Sequence, residues 1–428
     1  MTMLLLQVTV VLAITVSFGW IARKLGQSRV VGEIIGGVFL GPSVLGRFAP
    51  STMERVFSSA SLSSLEVLSS IGLVLFMFLT GIEVDCSRLY RKRFTAIAVS
   101  ITGIVFPFVI GIILANSLRN RFPSPNSSLL PFVLFLGISM GITAFPILVR
   151  IVEDQGLEQT PLGTVAIFCA ATDDIAAWVL LSVGLVLVGP RGGNASLGLR
   201  GGALCGFILV MLGILRPLGV RIIRHNKCPT LSPELFGIVL AGAFASAAAT
   251  EWIGVHPLFG AFLFGISFPR VPQWQRAVRT ALHTVVSSLL LPLFFALTGL
   301  KTRLDLLTGS GVLVWTAVIV VAAVFGKLGG VTIAARWMGE SWNTSIALGV
   351  LMNTRGLVEL IVLNIAYAIG VFSPTLFTML VMMALLTTMV TTPVLRLLRV
   401  DDSFRGPFEQ PKQIFNTTSA CVLGPEDI

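Results

Sequence analysis

Two adjacent aspartates, Asp173 and Asp174, interrupt an apolar stretch that carries no other charged residue between Glu158 and Arg191. A run that long and that apolar is expected to cross a membrane. One ionised carboxylate in hydrocarbon costs on the order of 3 kcal/mol or more. A second one beside it adds to the cost, because like charges oppose each other's ionisation. Such a pair fits a proton or small-cation site that water reaches. The competing reading is a neutral, hydrogen-bonded pair inside a helix bundle, but ionisable residues at membrane depth are functional by default.

Other charges lie inside apolar runs. Arg355 and Glu359 are spaced i,i+4, so they share one helix face and can pair. Lys327 has no acidic neighbour in its own run and must find a partner on another helix, reach the interface, or give up its proton. One aspartate of the 173–174 pair is the expected partner, which leaves the other free for a cation or protons. A lone carboxylate in a restricted aqueous cavity binds H⁺ or a monovalent cation, and the two compete. Competition at one moving site yields exchange. Glu33, followed by glycines, is expected to serve a helix contact or the lipid interface.

The elements that must hold these groups are membrane helices. The chain is 55% hydrophobic and 12% charged, with a mean hydropathy of +0.92, whereas soluble domains are about 25% charged. The formal charge of +10 reads as loop residues facing cytoplasm and anionic lipid. No basic cluster is interleaved with aromatics, so nucleic acid is not an expected partner. Cys86, Cys169, Cys205, Cys228 and Cys421 have no metal-ligand spacing, and a disulfide framework is not expected. His256 precedes a proline at a helix start and reads as structural. No basic residues precede the apolar N-terminus, which reads as a first membrane helix and not a cleaved leader.

Hydropathy marks thirteen spans, at 3–22, 29–46, 64–83, 94–115, 131–152, 161–189, 198–221, 233–252, 255–269, 282–300, 310–337, 343–369 and 374–398. The fold class is thus an all-α polytopic membrane protein, with a transmembrane domain over 1–400 and a short cytoplasmic tail over 401–428. Of the 30 basic residues, twenty follow odd-numbered spans and eight follow even-numbered ones. That asymmetry puts the N-terminus outside and the C-terminus in the cytoplasm.

An internal repeat underlies the spans. The third ends Leu75-Phe-Met-Phe-Leu-Thr-Gly-Ile82 and the tenth ends Leu293-Phe-Phe-Ala-Leu-Thr-Gly-Leu300, identical at five of eight positions. Gly36 and Gly41 of the second span match Gly260 and Gly265 of the ninth in spacing. Both matches are seven spans apart, an odd offset, so spans 1–6 and 8–13 insert with opposite orientation around a midplane site. The same offset pairs the fifth span with the twelfth. Gly141 and Pro146 loosen the fifth; Asn353, Thr354 and Gly356 loosen the twelfth. Broken backbone at membrane depth is tolerated only beside protein or a cavity, and freed carbonyls and half-helix ends place partial charges there.

Four stretches resemble the second monovalent cation:proton antiporter superfamily, and within it the membrane domain of plant cation/H⁺ exchangers and their bacterial relatives. They are Val31-Gly-Glu-Ile-Ile-Gly-Gly-Val-Phe-Leu-Gly-Pro-Ser43, Phe76-Met-Phe-Leu-Thr-Gly-Ile-Glu-Val-Asp85, Thr172-Asp-Asp174 and Met352-Asn-Thr-Arg-Gly-Leu-Val-Glu-Leu-Ile-Val-Leu-Asn364. The resemblance implies Na⁺ or K⁺ exchange for H⁺ by an elevator motion, and no cofactor. It implies a homodimer in the bilayer, with spans 1–3 and 8–10 as dimer domain and spans 4–6 and 11–13 as moving core. It makes Asp174 the cation- and proton-binding carboxylate, so Asp174 is the ion-ligating residue, and Asp173 the partner of Lys327. Thr143 then sits at the broken fifth span near the ion, and Thr172 adjoins the pair. Asn353, Thr354, Arg355 and Glu359 belong to the crossing broken helix.

Two departures from the family pattern stand out. Many members of the family it resembles carry a large cytoplasmic C-terminal domain, and here the 401–428 segment follows the last span, so regulation of that kind is expected to be absent or supplied by another protein. Plant exchangers often carry Asn where Asp173 stands, which leaves Na⁺ versus K⁺ and the stoichiometry open. A Na⁺-coupled organic-anion symporter of similar crossed-helix design, and a cation channel or sensor, are the alternatives. For a membrane enzyme the sequence offers no nucleophile, metal set or phosphate loop.

Overall fold

Apolar runs punctuated by serine caps and prolines set the helices. The computed structural model describes residues 2–57, 59–83, 93–125, 128–157, 160–188, 197–225, 232–269 and 271–398. Cys86, Cys228, Cys421, the 401–428 tail and several loop basics used for orientation, such as Arg88, Lys227 and Arg405, lie outside the described residues. All regular structure among the described residues is helical. In order these are α1 (Thr2–Lys24), α2 (Arg29–Leu40), α3 (Leu45–Phe48), α4 (Pro50–Val56), α5 (Ser59–Glu83), α6 (Arg93–Arg121), α7 (Leu129–Gly141), α8 (Phe145–Asp154), α9 (Pro161–Val188) and α10 (Leu197–Val210). There follow α11 (Arg216–His225), α12 (Pro233–Ile253), α13 (Pro257–Ser267), α14 (Pro272–Val285), α15 (Leu291–Lys301), α16 (Ser310–Trp337), α17 (Trp342–Met352), α18 (Leu357–Ala368) and α19 (Pro374–Leu397).

Local chemistry explains the boundaries. Ser28, Ser232, Ser341 and Ser373 sit at N-caps and accept from backbone amides of the first turn. Gly254 ends α12 in the left-handed region at φ 89°. One π-helical turn joins α10 to α11 and another joins α14 to α15, each just before a proline, Pro217 and Pro292. A widened turn there accommodates the ring that would otherwise clash with the preceding carbonyl.

Among the described residues ten helices are long and apolar enough to cross a membrane, or eleven if α17 and α18, bent by 42°, form one span. The protein is a multi-pass integral membrane protein. The remaining two expected spans, 131–152 and 255–269, fall on shorter helices: the α7–α8 pair and α13. Length and composition therefore account for ten or eleven of the thirteen. The fifth span is the instructive case, because its break leaves neither half long enough to qualify.

Two helix groups emerge from the packing. In one, α1, α2, α5, α12, α13 and α15 pack together; in the other, α6 to α9 pack with α16 to α19. Within the first group the repeat matches become contacts. Gly36 of α2 lies against Ile14 and Phe18 of α1, and Gly260 of α13 against Ser246 and Thr250 of α12. Gly41 meets Leu300 of α15, and Gly265 meets Gly81 of α5. Each Leu-Thr-Gly helix thus crosses the glycine-bearing helix of the opposite half, so close that a Cβ at Gly265 or Gly299 would strike backbone.

Between the groups, α2 meets α19. Asn364 of α18 donates to the Thr298 hydroxyl of α15 at 3.1 Å, and Gln27 donates to the Met389 carbonyl at 3.2 Å. A narrow crevice lies between them, lined by Val31, Ile34, Ile147, Arg355, Leu360 and Thr388.

Candidate ion-binding site

Both expected breaks are present, and they meet. Backbone leaves α7 at Gly141, runs through Ile142, Thr143 and Ala144, and re-enters a helix at Phe145. It leaves α17 at Met352 and re-enters at Leu357. The Ala144 amide donates to the Thr354 carbonyl at 2.9 Å, so the two interruptions hydrogen-bond each other. Orphaned groups at the half-helix ends are partly satisfied this way. The side of Gly356 that would carry a Cβ is filled by Ile147, so the chains cross without room for a larger residue.

Asp173 is saturated. Its Oδ1 accepts from the Ser100 hydroxyl at 2.5 Å. Its Oδ2 accepts from Thr143 at 2.8 Å and from the Lys327 ammonium at 2.7 Å. Lys327 also donates to the Gly141 carbonyl at 2.5 Å, the last of α7. The Thr143 hydroxyl lies 2.9 Å from the Met352 carbonyl as well, and its single proton serves one acceptor at a time. Lys327 and Asp173 are fully buried. Close packing of α16 on α6 delivers the lysine: Gly326 and Gly330 lie against Pro107 and Thr102.

Asp174 presents the opposite case. It is 1% exposed, and neither carboxylate oxygen has a hydrogen-bond partner. The backbone amide of Phe145, the first residue of α8, is a neighbouring donor. A helix N-terminus carries partial positive charge that suits an anion, but it does not complete a hydrogen bond to either oxygen. A buried, unpartnered carboxylate is expensive, and a cation or a proton relieves it.

The remaining expected residues divide. Arg355 Nη1 and Nη2 donate to the Ser139 and Met140 carbonyls, each at 2.7 Å. Lys327 and Arg355 together therefore cap the C-terminal end of α7, where cations are favoured. The i,i+4 contact of Arg355 with Glu359 is present at 3.3 Å. Asn353 Oδ1, Thr354 Oγ1 and Glu359 Oε2 are buried without partners. The Thr172 hydroxyl instead returns to the Phe168 carbonyl of its own helix. Glu33 is buried and pairs with Arg29, one turn before it in α2, at 2.6 Å.

Two residues escaped sequence reasoning. Ser100 lies in a helix with nothing to mark it. Thr388 of α19 accepts from the Arg355 amide at 3.0 Å and donates to the Arg355 carbonyl at 2.6 Å, fixing the second break.

Comparison with known proteins gives the family. The family model described as sodium/hydrogen exchanger, transmembrane, matches residues 10–398. The chain belongs to the sodium/hydrogen exchanger family. It is 39% identical over 397 residues to the Na⁺/H⁺ antiporter NhaS4 of Synechocystis, covering 92% of this chain and 96% of that relative. It is 38% identical to cation/H⁺ antiporter 17 of Arabidopsis thaliana, but spans only 48% of that protein's length. It is 30% identical to K⁺/H⁺ antiporter 1 of Saccharomyces cerevisiae, spanning 44% of it. The sodium proton antiporter MjNhaP1 of Methanocaldococcus jannaschii shares the fold, with a TM-score of 0.67 at 15% identity over 94% of this chain and 99% of that one.

Proposed function

We propose that the protein exchanges a monovalent cation, Na⁺ or K⁺, for protons across a membrane, with Asp174 as the shared binding carboxylate. The carrying observation is the contrast within the aspartate pair: Asp173 has three donors, whereas Asp174 has none. Family membership supports the same reading, and relatives named for both Na⁺ and K⁺ leave the ion open. Thr143, Asn353 and Thr354 line the breaks beside this pair and are the polar groups on hand for the ion, with Thr172 one residue before it.

Alternating access then follows from the two helix groups. The group carrying the crossing moves as an elevator against the other, which serves as a homodimer scaffold, and the crevice at Arg355 separates the two on one side. The basic-residue asymmetry supports an outside N-terminus and a cytoplasmic C-terminus, so that crevice, near Arg29 and Arg396, faces inward.

Purified protein in liposomes with an imposed pH gradient and a fluorescent proton probe tests the reading. Pulses of Na⁺, K⁺ or Li⁺ should dissipate the gradient, and Asp174→Asn should abolish the response. Near-normal flux in Asp174→Asn would overturn the assignment. Cation uptake with an organic anion and no proton movement would point to a symporter, and flux without proton coupling to a channel.

A further inference from the structure

Hydroxyls inside the membrane helices commonly bond the carbonyl four residues back. Thr80, Thr102, Ser139, Ser182 and Thr298 all do so. Ser100 of α6 does not. Its hydroxyl crosses to α9 and donates to Asp173 Oδ1. The carbonyl it would otherwise use, that of Ala96, faces the Cys169 thiol at 3.4 Å instead. Cys169 and Asp173 are four residues apart on α9, as Ala96 and Ser100 are on α6. The two helices are therefore stitched at successive turns, and the second stitch is a buried hydrogen bond to a site carboxylate.

We propose that Ser100 is a positioning residue for the exchange reaction: it fixes Asp173 so that Oδ2 faces Lys327 and Thr143 while Oδ1 stays occupied, which withholds Asp173 from the transported ion and leaves Asp174 to bind it alone. The inference rests on the exchanger reading. A carboxylate held at only one oxygen can turn the other toward an ion beside it. Without Ser100 the ion meets two carboxylates, is held more tightly, and leaves more slowly. A single-carboxylate site binds weakly enough to release its ion on each cycle, and Ser100 keeps it so.

The test compares wild type, Ser100→Ala and Ser100→Thr in proteoliposomes, with rates measured over a range of Na⁺ and K⁺ concentrations. Ser100→Ala should lower the apparent KM about threefold or more, a change of under one decade in affinity, and lower the saturated rate with it. Ser100→Thr, which keeps the hydroxyl, should restore both. Damage to folding alone lowers the rate at unchanged KM. An unchanged KM in Ser100→Ala, or a threonine variant indistinguishable from the alanine one, overturns the proposal. A readout without transport separates the two levels of inference. Ser100→Ala should lower the melting temperature in wild type, and leave it unchanged where Asp173→Ala and Lys327→Met have removed its acceptor. Equal falls in both backgrounds overturn the proposal. Absence of cation-driven proton flux in wild type overturns the exchanger reading, while the melting comparison still decides whether Ser100 holds Asp173.

Discussion

Lys327→Met keeps most of the side-chain length and removes the charge. It leaves Asp173 buried with two hydroxyl donors and strips the Gly141 carbonyl of its partner. Breaking one side of a buried ion pair costs about 3–5 kcal/mol, because the remaining charge is uncompensated. Asp173→Ala should cost a similar amount, since the ammonium then has only the Gly141 carbonyl left. Removing both leaves neither member of the pair as an uncompensated charge. What remains is a small cavity, the Gly141 carbonyl and the Ser100 hydroxyl, neutral groups that together cost about 1–3 kcal/mol. The double variant should therefore be more stable than either single one, with a favourable coupling of at least about 3 kcal/mol. Melting of the four proteins in detergent, followed by the fluorescence of a thiol- or core-binding dye, reads the cycle directly. Falls that simply add would mean that Lys327 and Asp173 do not meet, and the placement of α16 against the crossing would have to be redrawn.

Asp174→Asn should melt no lower than wild type, because the carboxylate has no hydrogen bond to lose and its removal takes away a buried charge; a fall as large as that of Lys327→Met would show an unseen partner. Arg355→Ala should destabilise by about 3 kcal/mol or more, as it strips two carbonyls of charged donors. Glu359→Gln should cost less than Arg355→Ala, because the guanidinium keeps both carbonyl acceptors and loses one 3.3 Å contact; denaturation that ranks them the other way refutes this. Asn364→Ala removes a hydrogen bond between the two helix groups, worth about 1 kcal/mol, and should favour the alternative arrangement about fivefold. Accessibility of a cysteine at Thr354 to a small thiol reagent, compared from the two membrane faces, should shift accordingly, and an unshifted ratio would mean that this contact does not bias the motion.

The fold was legible where chemistry is local or periodic. Long apolar runs, with Gly141 and Asn353 at the breaks, marked α7–α8 and α17–α18 in advance, and the Leu-Thr-Gly repeat related α5 to α15; that α5 packs on α13 and α2 on α15 is visible only in the structure. The i,i+4 rule anticipated Arg355 and Glu359. The residues alone said only that one aspartate pairs with Lys327, and the family resemblance named Asp173; the structure has that pair, through a rotation of α9 about its axis that packing against α6, α7 and α8 sets. Ser100 was invisible for the same reason. A lone serine in an apolar helix ordinarily bonds its own backbone, and nothing in the sequence shows that Cys169 occupies the carbonyl it would use. Arg355 was seen as a partner for Glu359, but its shorter contacts are with backbone at the end of α7. Those acceptors exist only because the helix breaks there.

Charge bookkeeping at the crossing ties the breaks to the proposed mechanism. Counted as ionised, Asp173, Asp174 and Glu359 face Lys327 and Arg355, a net charge of minus one on the buried side chains. The two cations sit at the C-terminal end of α7, where carbonyls add their own negative partial charge. Asp173 and Glu359 are each matched with one of them, so the surplus falls on Asp174, beside the N-terminus of α8. One proton or one monovalent cation brings the set to neutrality, and two cannot both be held there without reversing the imbalance. A core carrying uncompensated charge faces a desolvation penalty of several kcal/mol in passing through a low-dielectric barrier, whereas a neutral one does not. On the proposed reading, the same arithmetic would make the ion and the proton interchangeable at Asp174 and would bar an empty site from crossing, so the exchanger would need no further device to couple the two fluxes.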